Sequence, residues 1–289
     1  GETLFWNHLF KVVTYLKSRG MTSTVVTNGW LLGHKRFRER VRESDIGAIN
    51  ISLKGGNRQQ YIDHTAFDGF ERILEGLREV VKWGKPEVSA SVLITKETVN
   101  NLDEIATVAF GNGIPMMSFS TCNPTFANGS MDVQHTVHPR EAVKAVMDQY
   151  EVINRVSGGH FALEGSVPAC MWPHDFLRMM EERQQVAYGC HFKNRSGVIF
   201  DRWGKVIPCN MLYEYPLGQY GVDFTDKTSF QTAWERPELA TFYNKMLAYP
   251  ATACVTCDEF VKCGGGCPLN WFVRKPEDTI PIGGLTWTS

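Results

Sequence analysis

The sequence predicts an α/β fold in which a parallel sheet is followed by a small, cysteine-rich domain. Two observations predict it: short apolar runs alternate with amphipathic stretches through the first half of the chain, and six of the eight cysteines lie in the last 100 residues. Alternating strands and helices favour right-handed β-α-β crossovers, which build a parallel sheet. The 289 residues, 43% of them hydrophobic, suffice for one large domain and one small one.

The strands are predicted from short β-branched or apolar runs, which lie at residues 22–28, 48–53, 87–95 and 115–121. Helices are predicted at about residues 6–19, 34–44, 67–84, 101–112 and 139–157. In such a sheet, functional residues lie on loops at the carboxyl ends of the strands. The pattern opens with a helix that no strand precedes, so we expect further strands in a segment before Gly1.

The composition changes near residue 165, where prolines, glycines and cysteines become frequent. Residues 197–208 contain two apolar stretches on either side of Asp201–Gly204, a pattern typical of a short β-hairpin. We therefore predict a first domain at 1–165, a linker at 166–189 and a second domain at 190–289.

The charge and hydropathy of the chain predict neither a nucleic-acid partner nor a membrane partner. Thirty basic and 31 acidic residues give a formal net charge of −1 without a long block of one sign, so neither a nucleic acid nor an anionic membrane is predicted as a partner. No apolar run approaches the roughly 20 residues that span a bilayer, and the first residues lack the pattern of a signal peptide. A cytoplasmic location is the default expectation.

The cysteine spacing predicts a metal-binding domain. Cys254, Cys257, Cys263 and Cys267 form C-x2-C-x5-C-x3-C, with three glycines before the last cysteine. Short spacings let thiolates converge on one metal centre, and glycine lets the backbone turn tightly around sulfur. Spacing alone fits structural zinc about as well as an iron–sulfur cluster, and disulfides are less favoured in a chain without an export signal.

The other four cysteines differ in pattern. Cys190 and Cys209 belong to a C-x13-G-x4-C arrangement, in which the hairpin would present a second pair of thiolates. Cys122 and Cys170 carry no pattern. A small buried hydrophobic side chain is the favoured interpretation of Cys122. Cys170 could supply a further ligand, although no spacing predicts it.

Taken in order, the motifs resemble those of radical S-adenosylmethionine (SAM) enzymes with a carboxyl-terminal SPASM or Twitch domain. The cysteines match C-x(9–15)-G-x4-C followed by C-x2-C-x5-C-x3-C. The remaining matching motifs are Gly1–Glu2, Thr27–Asn28–Gly29, Ser52–Leu53–Lys54–Gly55 and Pro216–Leu217–Gly218. Lys54 stands where such enzymes usually have aspartate, and His64 where they often have arginine.

This resemblance implies a partial (β/α)6 TIM-like barrel. A 4Fe-4S cluster bound there cleaves SAM to a 5′-deoxyadenosyl radical, which takes a hydrogen atom from the substrate. Gly1 and Glu2 would help to hold the SAM amino group, and Thr27, Asn28 and Ser52 would lie near its ribose or carboxylate. The alternatives are a frayed terminus for Glu2 and turn capping for the others.

The resemblance also implies how the thiolates are shared. Cys190, Cys209 and Cys267 would hold a first auxiliary 4Fe-4S cluster, and Cys254, Cys257 and Cys263 a second. Each set is one ligand short. Either the chain continues beyond Ser289, or this is a Twitch-like variant with one cluster, or the sites are incompletely occupied. The C-x3-C-x2-C loop for the SAM-cleaving cluster is expected before Gly1, so residues 1–289 alone should not cleave SAM.

Enzymes with this domain mostly modify peptides or proteins, so the resemblance implies a peptide or protein substrate and an electron donor such as flavodoxin or ferredoxin. Two alternatives remain open: a catalytically inactive relative that uses the metal domain for binding, and a zinc-stabilised α/β binding module. No catalytic side chain is predicted. Asp201, Tyr213 and Glu214 lie near the cysteines in sequence, but surface positions are the favoured interpretation.

Overall fold

The computed structural model describes residues 2–280. The strands are β1 (Thr24–Thr27), β2 (Ala48–Ser52), β3 (Glu87–Ile94), β4 (Met117–Thr121), β5 (Thr125–Ala127), β6 (Ser130–Asp132), β7 (Phe161–Glu164), β8 (Val186–Ala187), β9 (Ile199–Phe200), β10 (Lys205–Ile207) and β11 (Gly218–Gln219). The α-helices are α1 (Leu9–Ser18), α2 (Lys35–Arg42), α3 (Arg58–Thr65), α4 (Phe70–Val80), α5 (Leu102–Gly111), α6 (Pro139–Ser157), α7 (His174–Glu182), α8 (His191–Asn194), α9 (Lys227–Trp234), α10 (Pro237–Met246), α11 (Phe260–Cys263) and α12 (Pro276–Thr279). Short 3-10 turns lie at Thr3–Phe5, Trp30–Gly33, Val81–Trp83, Ala169–Met171, Asn210–Leu212, Thr252–Thr256 and Pro268–Phe272.

The chain divides into two compact units. The first contains the described residues through Ser120, together with Glu141–Leu163 and Glu182–Gln185. The second contains Thr121–Arg140, Glu164–Glu181 and the described residues from Val186 onward.

The first unit is built on a parallel sheet. Its strands lie in the order β1-β2-β3-β4-β7, and both β1–β2 and β2–β3 pair in parallel. Thr27 pairs with Ile51, and Ile51 with Ala90, so the carboxyl ends of these strands lie side by side. The predicted α/β class with a parallel sheet is confirmed.

Alternation along the strands separates an apolar face from a polar one. Ile49 and Ile51 of β2 are fully buried, whereas the intervening Asn50 is half-buried. Successive side chains of a strand point to opposite faces, so Asn50 and Ser52 share the face opposite the isoleucines. Helix α4 buries its apolar stripe, with Leu77 and Val80 fully inaccessible.

The second unit contains the predicted hairpin. Strands β9 and β10 pair antiparallel, with Val206 opposite Phe200, and β11 adds a third strand. The Asp201 carboxylate closes the turn by accepting hydrogen bonds from the backbone N–H groups of Trp203 and Lys205, both at 2.8 Å. Gly204 follows with φ of +77°, a conformation that glycine adopts without steric cost.

Several boundaries differ from those predicted. The helix predicted at 67–84 is α4 followed by a 3-10 turn, and α3 was not predicted at all. Residues 166–189, predicted as a linker, contain the 3-10 turn Ala169–Met171, helix α7 and β8. Among the helices within residues 2–280, none is both long enough and apolar enough to cross a membrane.

Candidate cofactor and metal sites

Glu2, Thr27 and Asn28 meet at the carboxyl end of β1. The Glu2 carboxylate accepts a hydrogen bond from the Thr27 hydroxyl at 2.6 Å and from the Asn28 backbone N–H at 2.8 Å. It also accepts one from the Leu4 N–H at 3.0 Å. Ser52 ends β2 one residue after Ile51, the partner of Thr27. The structure therefore brings four predicted cofactor residues to one end of the sheet, while Gly1 lies outside the described residues.

The same residues also shape the turn. The Thr27 hydroxyl accepts a hydrogen bond from the Gly29 N–H at 3.0 Å, and the Asn28 side-chain oxygen accepts one from the Trp30 N–H at 3.0 Å. Gly29 has φ of +79°, and a Cβ there would lie 3.1 Å from the Ile51 side chain. Turn capping, the simpler interpretation of Thr27 and Asn28, is thus present, and the Glu2 carboxylate is held against this turn.

A polar ladder on β2 and β3 was not predicted from the sequence. The Asn50 side-chain amide donates to the Ser89 hydroxyl at 3.0 Å, and its oxygen accepts from the Ser91 hydroxyl at 2.6 Å. Ser91 is also the register partner of Ser52. The alternation of small polar and apolar residues in both strands could have indicated a polar face. Only the strand register shows that the side chains of Asn50, Ser89 and Ser91 meet.

The first set of cysteines consists of Cys190, Cys209 and Cys267. Each of these cysteines directly precedes a helical segment: Cys190 precedes α8, Cys209 the turn Asn210–Leu212, and Cys267 the turn Pro268–Phe272. All three pack against a buried apolar cluster that includes Phe192 and Leu212. Burial, followed by the charges of Cys209 and Cys190, raises the pKa of the Cys267 thiol to about 12.

The second set contains a cysteine that no motif predicted. Cys254, Cys257, Cys263 and Cys170 line one cavity. Although Cys170 is exposed as a whole residue, surrounding atoms desolvate its thiol. That desolvation, followed by the charges of Cys263, Cys254 and Cys257, raises the pKa of Cys170 to about 11. The cavity therefore places Cys170 beside the three cysteines of the C-x2-C-x5-C motif.

The glycine run explains how two neighbouring cysteines reach different sets. Gly264, Gly265 and Gly266 have φ of +56°, +73° and +72°, so three consecutive residues adopt the left-handed conformation. L-residues with a Cβ rarely adopt it. This turn ends α11 at Cys263 and delivers Cys267 to the first set.

Lys193 places a positive charge between the two sets. Its ammonium group donates a hydrogen bond to the Gly264 carbonyl at 2.6 Å. Burial lowers the pKa of Lys193, and the charges of Cys190, Cys263 and Cys267 oppose that effect. The positive charge of Lys193 partly opposes the rise in the pKa of the Cys267 thiol that burial causes.

The chemistry of these donors fits iron–sulfur clusters, which are held by cysteine thiolates. No disulfide joins any of the eight cysteines, all of which lie within residues 2–280, so none competes for their sulfur atoms. Across residues 2–280, no three His, Cys, Asp or Glu side chains are grouped closely enough to hold a single metal ion. The assignment of ligands to the two sets therefore remains a prediction.

Solved structures share this fold over nearly the whole chain. SuiB of Streptococcus suis bound to S-adenosylmethionine superposes with a TM-score of 0.69 at 16% identity, covering 98% of this chain and 64% of SuiB. The protein anSMEcpe with bound AdoMet and Cp18Cys peptide superposes with a TM-score of 0.64 at 16% identity, covering 99% of this chain and 77% of anSMEcpe. At these identities the likeness establishes the fold.

Curated proteins similar in sequence bear another name. A "Probable GTP 3′,8-cyclase" of Sulfurisphaera tokodaii is 25% identical over 125 residues, 43% of this chain and 39% of that protein. One of the same name from Metallosphaera sedula is 27% identical over 97 residues, 33% of this chain and 30% of that protein. The match therefore spans well under half of these relatives. No protein-family model matches the chain.

Together the comparisons confirm the resemblance to radical SAM enzymes with a SPASM-like domain and the fold class predicted from it. The structural neighbours and the sequence relatives bear names from different branches.

Proposed function

We propose that this chain is part of a radical SAM enzyme that takes a hydrogen atom from a peptide or protein substrate. The observation that carries the proposal is the extent of the structural likeness, which includes the cysteine-rich unit. It covers 95% of this chain for SuiB bound to the precursor peptide SuiA and 99% for anSMEcpe bound to the Cp18Cys peptide.

In this proposal, four residues at one end of the sheet hold SAM. Gly1 and Glu2 would help to hold the SAM amino group, and Thr27, Asn28 and Ser52 would contact its ribose or carboxylate. Glu2 is already fixed by its bonds to Thr27 and Asn28, so little side-chain entropy remains to be lost on binding. The reductively cleaved cofactor supplies the radical, and the protein binds, orients and excludes water.

The cysteine-rich unit holds the auxiliary 4Fe-4S chemistry. Cys190, Cys209 and Cys267 bind one cluster, and Cys254, Cys257 and Cys263 bind the other. We further propose a cytoplasmic enzyme that receives electrons from a flavodoxin or ferredoxin.

The test uses protein expressed from the complete reading frame, purified without oxygen and supplied with iron, sulfide and a reductant. We expect a brown protein that contains iron and sulfide. We also expect 5′-deoxyadenosine only when SAM and a precursor peptide encoded beside the gene are both present, with a mass change in the peptide. Zinc in place of iron would contradict the proposal, and so would an iron protein that leaves SAM intact.

A GTP-converting enzyme is the second candidate, because the relatives similar in sequence bear that name. The same assay separates the two when GTP replaces the peptide. Turnover of GTP with formation of 5′-deoxyadenosine would favour this candidate, whereas peptide-dependent turnover favours the first.

A further inference from the structure

We infer that Cys170 supplies the fourth thiolate of the second set and completes a Cys170–Cys254–Cys257–Cys263 cluster site. The inference rests on the iron–sulfur content proposed above and is independent of the substrate. Neither spacing nor resemblance assigned Cys170 to a ligand set.

The first observation is a shared cavity. A cavity of about 440 Å³ in the second unit is lined by all four of these cysteines. Cys122 is not among its lining residues. Cys254 and Cys263 are half-buried, and Cys170 and Cys257 are exposed. Thiolates from separate segments therefore surround one space instead of projecting into solvent independently.

The second observation is a set of contacts that holds Cys170 in place. The Ala169 backbone N–H donates to the Cys263 sulfur at 3.2 Å, so the residue before Cys170 already contacts a member of the set. Nearby, the Cys267 N–H donates to the Ser166 carbonyl at 2.9 Å. N–H donation to a cysteine sulfur is a common feature of cluster sites, where it stabilises negative charge.

The third observation is the close packing of the glycine run on the same segment. A Cβ at Gly266 would lie 2.7 Å from the Pro168 ring and 2.8 Å from the Ser166 carbonyl oxygen. The segment that carries Cys170 is therefore packed directly against the loop that carries Cys263. The 3-10 turn Ala169–Met171 then fixes the backbone at Cys170 itself.

A complete set of four thiolates has a chemical consequence. As each iron–sulfur bond forms, the cysteine thiol loses its proton to solvent, and the metal centre offsets the mutual repulsion of the sulfur charges. With four protein ligands this cluster has no open iron for a substrate. Its role would then be to carry electrons, and an open iron site would belong to the Cys190–Cys209–Cys267 set.

The experiment compares Cys170→Ala with Cys122→Ala, a matched control because Cys122 is also a single cysteine of the second unit. Both variants and the parent protein, each as the full chain, are loaded with iron and sulfide without oxygen. For Cys170→Ala we expect less iron and sulfide than in the parent, by at most the content of one 4Fe-4S cluster, because the second set is left with three thiolates. For Cys122→Ala we expect the parent's content.

A second measurement does not depend on folding of a variant. Alkylation of the parent protein, followed by mass spectrometry, should label Cys170 in the metal-free form and label it at least tenfold more slowly in the loaded form. Unchanged labelling of Cys170, or equal iron in Cys170→Ala and the parent, would overturn the inference alone. A parent protein that takes up no iron would overturn the proposed iron–sulfur chemistry as well.

Discussion

Replacing Gly266 by alanine should destabilise the cysteine-rich unit more than the same change at another glycine with positive φ. Gly266 has φ of +72°, and its position leaves no room for a methyl group beside Pro168 and Ser166. Gly221 has φ of +83°, and a Cβ added there would have no heavy atom within 4 Å. Comparing Gly266→Ala with Gly221→Ala therefore separates the cost of the left-handed backbone conformation from the cost of steric overlap.

The magnitudes follow from these two terms. The left-handed conformation costs an L-residue about 1–2 kcal/mol, which applies to both substitutions. Overpacking against well-fixed atoms adds about 1–3 kcal/mol, and it applies only at Gly266, where a backbone carbonyl lies 2.8 Å away. We therefore expect a loss of about 2–5 kcal/mol in unfolding free energy for Gly266→Ala and about 1–2 kcal/mol for Gly221→Ala.

Urea unfolding of the metal-free proteins, followed by circular dichroism, measures both losses. Gly264→Ala provides an intermediate case, because its Cβ would meet only the flexible end of Lys193, at 2.8 Å from the ammonium nitrogen. Equal losses at Gly266 and Gly221 would refute the reasoning, since they would mean that the packing of the glycine run on Pro168 and Ser166 contributes nothing.

Two further predictions concern the polar groups of each unit. Glu2→Gln replaces one carboxylate oxygen by an NH2 group, which cannot accept the hydrogen bond from the Asn28 N–H. We expect the free energy of unfolding, measured in urea, to fall by about 1–2 kcal/mol. An unchanged free energy of unfolding would show that this bond is not formed in solution. Backbone and side-chain hydrogen bonds from Ser229 lower the pKa of Asp226 below its ordinary value of 3.8. The stability that the Asp226 carboxylate contributes is present above pH 3.8 and is lost as the pH falls below it. In Asp226→Asn, the urea midpoint of unfolding should therefore change less between neutral and acidic pH than in the parent. The same change of midpoint with pH in both proteins would contradict this.

Strands β1 to β4 were predictable because their residues carry local information. Residues 48–53 were predicted as a strand and β2 spans Ala48–Ser52, since Ile49 and Ile51 alternate with small polar residues, as suits a strand that is buried on one face and paired on both sides. The hairpin was predictable for the same reason, because Asp201–Gly204 has the residues that its turn requires.

Helix α3 escaped prediction because tertiary contacts define it. It has almost no amphipathic pattern, and its amino end is fixed when the Asn57 side chain caps the Gln60 N–H at 3.0 Å. Glu104 of α5 then accepts hydrogen bonds from the side chains of both residues, at 2.9 and 2.6 Å. A partner so distant in sequence leaves no periodic signal.

In the candidate sites, too, some residues could be predicted from the sequence and others could not. Spacing and resemblance predicted the six motif cysteines, and their division into two ligand sets stays a prediction. In the structure, three of them pack against the cluster that includes Phe192, and the other three line one cavity. Cys170 could not be assigned from spacing, because its neighbours come from a distant part of the chain. The Asn50–Ser89–Ser91 ladder likewise depends on strand register, which alternation alone does not fix.

The left-handed glycine turn also limits how far apart two metal centres can be. Cys263 and Cys267 are separated by only four peptide steps, so their Cα atoms lie at most about 14 Å apart even in an extended chain, and the turn shortens that span. If each cysteine binds its own paramagnetic cluster, the two electron spins will be dipolar-coupled. Magnetic resonance of the reduced protein should then record one interacting pair, with broadened lines, instead of two independent signals.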